Sequence, residues 1–165
     1  MAHGFIKIDG IPGGGSTDNK YKDWIEATSF SHGMSKATDI GSLAPGRGQA
    51  GGVQMGDFIF SKCVGKDSPK IRQDCCAGRY IKKVEVELCE TTAGEHHPYE
   101  TFILEKVLIS SVHYGGPVDD MSGRAQETIT LTFGQITWTY TPVDDDHKPG
   151  PTVRAGWDCI NNKAI

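Results

Sequence analysis

The stretch Glu127–Thr141, ETITLTFGQITWTYT, decides the fold. Ile129, Leu131 and Phe133 alternate with Thr128, Thr130 and Thr132, the period of a strand buried on one face. The phase changes past Gly134-Gln135. There Ile136, Trp138 and Tyr140 carry the apolar series on even numbers, with Thr137, Thr139 and Thr141 opposite. An extra residue at that point, as in a β-bulge, keeps both apolar halves on one face of a long, bent strand. The rival reading is a two-residue hairpin with Gly at its first central position. The bulge is favoured, because such a bend lets a long strand turn the corner of a barrel.

The rest of the chain fits that start. Its 165 residues suit one domain, 1–165, that buries roughly 70% of its unfolded surface. With 21 Gly, 8 Pro and no long helical period, the composition predicts many strands joined by turns. A net charge of −4 gives no electrostatic case for nucleic acid. No window reaches the ~20 apolar residues of a membrane helix. The N-terminus, MAHGFIKIDG, meets Asp9 too early for the apolar region of a signal peptide, so folding in the cytoplasm is expected. Five cysteines, an odd number, predict reduced and mostly buried thiols rather than a disulfide framework.

In order, Phe5, Ile6 and Ile8 open a first strand, and Tyr21–Gly33 reads as a second with a bulge near Thr28-Ser29. Residues 34–52 have no apolar period and many glycines. They read either as a disordered loop or as an extended arm that orders against a neighbouring molecule. Val53–Lys62 is a strand. Ser68 as cap and Pro69 in the first turn start a short helix over about 69–77, which Gly78 stops, with Ile71 and Cys75 on one face. Tyr80, Val84, Val86 and Leu88 form a strand with one wet face, and Thr91–Pro98 a polar turn. Tyr99–Val112 differs: Phe102, Leu104 and Leu108 lie on one parity, and Ile103, Val107 and Ile109 on the other, so both faces call for cover. Gly115-Gly116-Pro117 ends it. After the opening stretch come an acidic turn, Asp144–Pro151, and a last strand with Val153, Ala155 and Trp157.

Chemistry is hard to find. His96-His97 point apart on an extended chain and lack finger-like partners. Cys75-Cys76 is not a CxxC. Asp144-Asp145-Asp146 lacks the order of a Ca²⁺ loop. No G-x-S-x-G is present, and the glycines after Pro12 match no phosphate-binding pattern. Trp138, Tyr140 and Trp157 suit packing better than a sugar or base platform. No catalytic residue, metal or cofactor is expected. The features point to assembly.

The succession FIKIDGIPG, KDWIEATSFSHGMS, GDFIFSK, KDSPKIRQDCCAGRYI, LEKVLISSVHYGG, ETITLTFGQITWTYTP and AGWD resembles the Hcp family, the haemolysin-coregulated tube proteins of bacterial type VI secretion. The resemblance runs from Phe5 to about Asn161. It implies a β-barrel of two antiparallel sheets with one flanking helix and a long extended loop. It also implies homohexameric rings stacked into a tube, with sheath, spike and effector proteins as partners, and release to the medium without a signal peptide. By the same resemblance the loop over 34–52, with Met34, Ser35, Leu43, Pro45, Arg47 and Gln49, reaches from one ring to the next. Ser110 and Ser111, running to Gly115, Gly116 and Pro117, match a segment on the channel side. Two positions depart from the family pattern: His32 stands where an aromatic is common, and Gly14-Gly15 where an acidic residue is frequent. A tube subunit of a phage-like contractile machine is the alternative reading, and a small β-barrel hydrolase or binding protein a remote one.

Overall fold

The computed structural model describes residues 2–14, 16, 18–37, 52–118 and 123–165. Its elements run β1 (Ala2–Ile8), β2 (Ile25–Ala27), β3 (Ser29–Ser31), β4 (Met34–Lys36), β5 (Val53–Met55), β6 (Phe58–Cys63), α1 (Ser68–Ala77), β7 (Ile81–Thr92), β8 (Glu95–Gly115), β9 (Gln126–Tyr140), β10 (Val153–Asp158) and β11 (Lys163–Ala164). The described residues are mainly β, with two antiparallel sheets and one short helix, as the sequence predicts.

The larger sheet has nine strands and curls. β1 pairs with β2 and β7, β7 with β8, β8 with β9, and β9 with both β6 and β10. β6 also pairs with β3. Only Thr28 separates β2 from β3, and its N–H donates to Ser61 O at 2.8 Å. The expected bulge near Thr28-Ser29 is therefore a change of partner, from β1 to β6. Through that corner the ladder β1–β7–β8–β9–β6–β3 returns to β1 by way of β2. The second strand is also shorter than its sequence suggests. Tyr21 lies in a turn, fully buried, stacked on Phe5 at 4.0 Å between ring centroids.

β9 is one continuous strand through Gly134, so the hairpin reading is set aside. The bend takes an unexpected form. Ile129, Leu131, Phe133 and Ile136 are all buried, so the phase does change. Yet the β8–β9 register is the same on either side, with Glu105 opposite Gln135 and Val107 opposite Phe133. β8 changes phase at the same level, since Phe102, Leu104, Val107 and Ile109 are its buried residues. Lys106 makes the change with φ 57, the left-handed region. Opposite it, Gly134 leaves room for the Lys106 stem, which a Cβ there would meet at 3.1 Å. The extra residue is thus carried by both strands together. The register shift in this pair lies elsewhere, between Ile109 and Ser111.

That kink corrects the two-faced reading of Tyr99–Val112. Strict alternation assigned Val107 and Ile109 to the face of Ile103, but the change at Lys106 moves them into the core and turns Leu108 outward, 43% exposed. Gly134 is also where β9 exchanges partners. Its first half pairs with β6 and its second with β10.

Three boundaries differ for local reasons. Val53–Lys62 is two strands, broken at Gly56-Asp57. The polar stretch 91–98 mostly continues the ladder and turns only at Ala93-Gly94, φ 52 and 83, a pair of left-handed residues that matches strand twist. The tail folds back as β11 because Asp158 Oδ1 accepts from the N–H groups of Ile160 and Asn161, each at 3.0 Å. Asp67, not Ser68, holds the N-cap position of helix α1, without a side-chain capping bond, and Ser68 is the first helical residue; Gly78 ends the helix at φ 64 as expected. Ile71 from α1 joins the core, and Arg79 donates to Asp9 O at 2.9 Å, tying the helix end to the turn after β1.

The corner at Lys106 holds an L-residue in left-handed backbone, a conformation costing about 1–2 kcal/mol. Lys106→Gly is expected to raise unfolding stability by about 1 kcal/mol, and Lys106→Val to lower it by about 1–3 kcal/mol. Urea unfolding followed by circular dichroism measures both; equal effects would remove the strained corner from the account.

Candidate functional site

Alternation on a curled sheet leaves an outer face wherever the inner one fills the core. Over β6, β9 and the end of β8, that face is rich in hydroxyls. Cross-strand rows place Ile59, Thr130 and Ser111 at one level, and Ser61, Thr128 and His113 at the next. Leu108 faces Thr132. Ser61 and Thr128 share a hydrogen bond of 3.2 Å, and Thr132 donates to Asp57 at 3.0 Å. Ile59 and Leu108 are the exposed large apolar side chains among these rows.

Of the residues matched to a channel side, Ser110 is the residue skipped by the ladder, and its Oγ donates to Thr130 O at 3.1 Å. Gly115 ends β8, Gly116 stands at φ 152, and Pro117 is exposed. Just before them Tyr114, 59% exposed, lies beneath the Arg72 guanidinium, whose Cζ is 3.8 Å from the ring centroid. The helix therefore reaches the root of this segment.

Of the residues assigned to the loop, Met34 and Ser35 belong to β4, opposite Met55 and Gln54 of β5. The ends of that stretch are thus a two-stranded ribbon, which the missing apolar period concealed. Leu43, Pro45, Arg47 and Gln49 lie outside the described residues. The ribbon leans over Trp138 and Trp157, leaving a cleft of about 380 Å³ lined also by Met34, Lys36, Val53, Met55 and Asn162. Trp138 and Trp157 pack against the core and Tyr140 is exposed, so packing is the role of the first two.

Sequence reading missed a buried charge cluster. Lys62 Nζ lies 2.8 Å from Glu127 Oε2 and 3.2 Å from Asp67 Oδ1, and it donates to Ser68 Oγ at 3.0 Å. Ser68 Oγ donates to Glu127 at 2.6 Å and accepts from the Gly65 N–H, while Arg72 Nε donates to the other Glu127 oxygen at 2.9 Å. Lys62, Asp67, Ser68 and Glu127 are all buried. Burial is the largest influence on Glu127 and opposes its charge. Hydrogen bonds from Lys62, Ser68 and Arg72, with the Lys62 charge, outweigh it and hold the carboxyl below its ordinary 4.5. Parity was the available signal: Glu127 shares the face of Ile129 and Leu131, and Lys62 that of Phe58 and Phe60.

The other reactive side chains are spent locally. His96 binds Thr91 at 2.9 Å and Asp18 at 3.3 Å, whereas His97 stacks on His147. Among the described residues no three His, Cys, Asp or Glu converge on one point. The five thiols are free, but only Cys89 is buried; Cys63 and Cys76 are exposed, which corrects the expectation of mostly buried thiols. Asp144 closes its own turn by accepting from the N–H groups of Asp146 and Lys148.

A family model described as type VI secretion system effector, Hcp, matches residues 5–140. The protein hcp1 of Pseudomonas aeruginosa is 31% identical over 111 residues, 67% of each chain. A solved type six secretion system protein superposes with a TM-score of 0.89 at 30% identity over the whole of both chains. Hcp1 from Salmonella typhimurium does so with a TM-score of 0.78 at 25% identity, over 99% of both. Hcp1 from Flavobacterium johnsoniae shares the fold at 9% identity, with a TM-score of 0.58 over 82% of this chain and 94% of its own.

Removing one member of the charge cluster strands the others. Lys62→Met leaves Glu127 and Asp67 without their ammonium and is expected to destabilise the fold by about 3–5 kcal/mol. Because the folded state lowers the Glu127 pKa, its contribution is complete above 4.5 and is lost as pH falls through the folded value. Urea unfolding at neutral and acid pH tests this: wild type loses stability on acidification, and Lys62→Met loses less.

Proposed function

Because the chain belongs to the Hcp family of type VI secretion system proteins, we propose that it is a tube subunit that closes into homohexameric rings and stacks them. In this reading the sheath surrounds the tube, a spike protein caps it, effector proteins travel in its channel, and it leaves the cell with them. It works through interfaces rather than an active site. No described helix is long and apolar enough to cross a membrane.

The observation that carries the reading is the apolar surface the barrel leaves over. Tyr140 and Val153 lie opposite each other on β9 and β10, 52% and 68% exposed, and Ile160 and Ile165 stand exposed beside the same strands. A heterologous head-to-tail contact that closes makes a ring, and burying such side chains supplies about 25 cal/mol per Å² before ordering costs. The hydroxyl-rich face of Thr128, Thr130, Thr132, Ser110 and Ser111, continuing to Gly115, Gly116 and Pro117, suits a channel wall. Polar, small side chains let cargo pass without a fixed pose. The β4–β5 ribbon is the base of the axial arm whose outer part includes Leu43, Pro45, Arg47 and Gln49.

Light scattering on concentrated protein is expected to give the mass of six chains, with rings in negative stain; a monomer at every concentration overturns the proposal. Replacing residues 41–51 by a short turn is expected to preserve the circular dichroism spectrum and the ring mass while abolishing stacked tubes.

A further inference from the structure

The β4–β5 ribbon leaves the barrel wall through His32 and Gly33 and rejoins it through Gly56 and Asp57. These two crossings are in close contact. Gly56 N donates to Gly33 O at 2.8 Å, and a Cβ on Gly56 would lie 2.6 Å from that oxygen. His32 is turned inward from the crossing. Its ring centroid is 5.5 Å from that of Phe133 on β9 and 6.1 Å from that of Phe58 on β6. Its Nε2 is closed off from solvent and has no hydrogen-bond partner among the described residues.

A neutral imidazole carries one N–H and leaves the other nitrogen as an acceptor; the imidazolium carries two N–H groups and a charge. Here the second N–H, on a ring packed beside Phe58 and Phe133, has no acceptor among the described residues. Asp57 is the charged group that acts on the ring, and its carboxylate is also bound by Thr132 from β9. Burial lowers the His32 pKa from its ordinary 6.5, outweighing the Gly56 backbone and the Asp57 charge, both of which favour protonation.

We propose that His32 is a proton-operated latch: neutral, it pins the root of the β4–β5 ribbon to the barrel, and protonated, it leaves its pocket and releases the ribbon. Its consequence for tubes, the unseating of one ring from the next, rests on the stacking role given to that ribbon above. The sign follows from linkage. A group whose folded pKa is depressed below 6.5 stabilises the closed ribbon fully above that value, and the stabilisation drains away as pH falls from 6.5 through the folded value.

The indoles under the ribbon report the event. Trp138 and Trp157 line the cleft beneath β4 and β5, whereas Trp24 packs in the separate cluster of Phe5, Tyr21 and Cys89. On acidification from about pH 7.5 to about pH 5, wild-type tryptophan emission is expected to shift to the red while far-UV circular dichroism stays constant. His32→Phe is expected to show no shift. Asp57→Asn, which removes the carboxylate favouring the charged ring, is expected to move the midpoint to lower pH. Constant wild-type emission across this range, or a His32→Phe curve that follows wild type, overturns the latch. If His32→Phe does not fold, the Asp57→Asn midpoint decides alone, and an unmoved midpoint overturns it. Pelleting of tubes over the same range separates the two readings: a red shift with tubes intact keeps the latch and removes the stacking role.

Discussion

The rest of the molecule depends on the matched change of phase that β8 and β9 make together at Lys106 and Gly134. A strand has only two faces, and each of these must keep one face on the core along more than a dozen residues while the sheet curls. A kink in one strand alone would offset the ladder by a residue and send every later side chain of its partner to the wrong face. Making the change in both at one level preserves the register, and Gly134 is the small residue that leaves room for the Lys106 stem at the level of its left-handed φ. Because β9 exchanges β6 for β10 at this point, the same corner also divides the closed ladder from the extension that carries β10 and β11.

The buried charge cluster has a different role. Hydrophobic burial alone allows a short helix with few apolar residues, such as α1, to slide over the end of a barrel. Only Ile71 among its hydrophobic residues is fully buried. Ser68 and Arg72, one turn apart, both reach Glu127, and Lys62 closes the other side. Such a network adds little net stability over an apolar replacement, because desolvation offsets most of its attraction. What it supplies is position. The helix has one setting in which all of these groups are satisfied, and that setting also places the Arg72 guanidinium on Tyr114 at the root of the segment matched to the channel.

The sequence made the strands legible where one face is buried, and obscured them where alternation breaks. Ile129–Phe133 and Val84–Leu88 were read correctly because residues at i and i+2 share a fate there. The break at Gly134 was visible because Thr marks the outer face on both sides of it. Its counterpart at Lys106 was not, since Ile, Leu and Val occupy both parities of β8 and any phase looks equally apolar. The β4–β5 ribbon escaped for another reason: two strands of three residues, largely exposed, bury too little to impose a period. Inward charges were readable in principle from parity at Lys62 and Glu127. Their meaning was not, because the partners are distant in sequence and only the closed ladder brings them together.

The side chains whose proton affinities are shifted are held by close neighbours. The Tyr21 hydroxyl, donating to Glu87 at 2.6 Å, is pushed above its ordinary value by burial and by its bonds to Cys89 and Glu87. Burial likewise pushes the Cys89 thiol up, away from the thiolate form that would make it a nucleophile. Glu127 is shifted the other way and is locked by three donors. Burial and hydrogen bonding thus keep the Tyr21 hydroxyl and the Cys89 thiol protonated and the Glu127 carboxyl ionised at neutral pH. The hydroxyls along the outer strands are likewise engaged, Thr128 with Ser61, Thr132 with Asp57 and Ser110 with the Thr130 carbonyl. On the proposed tube reading, that face of small, mutually bonded hydroxyls is the surface offered to cargo.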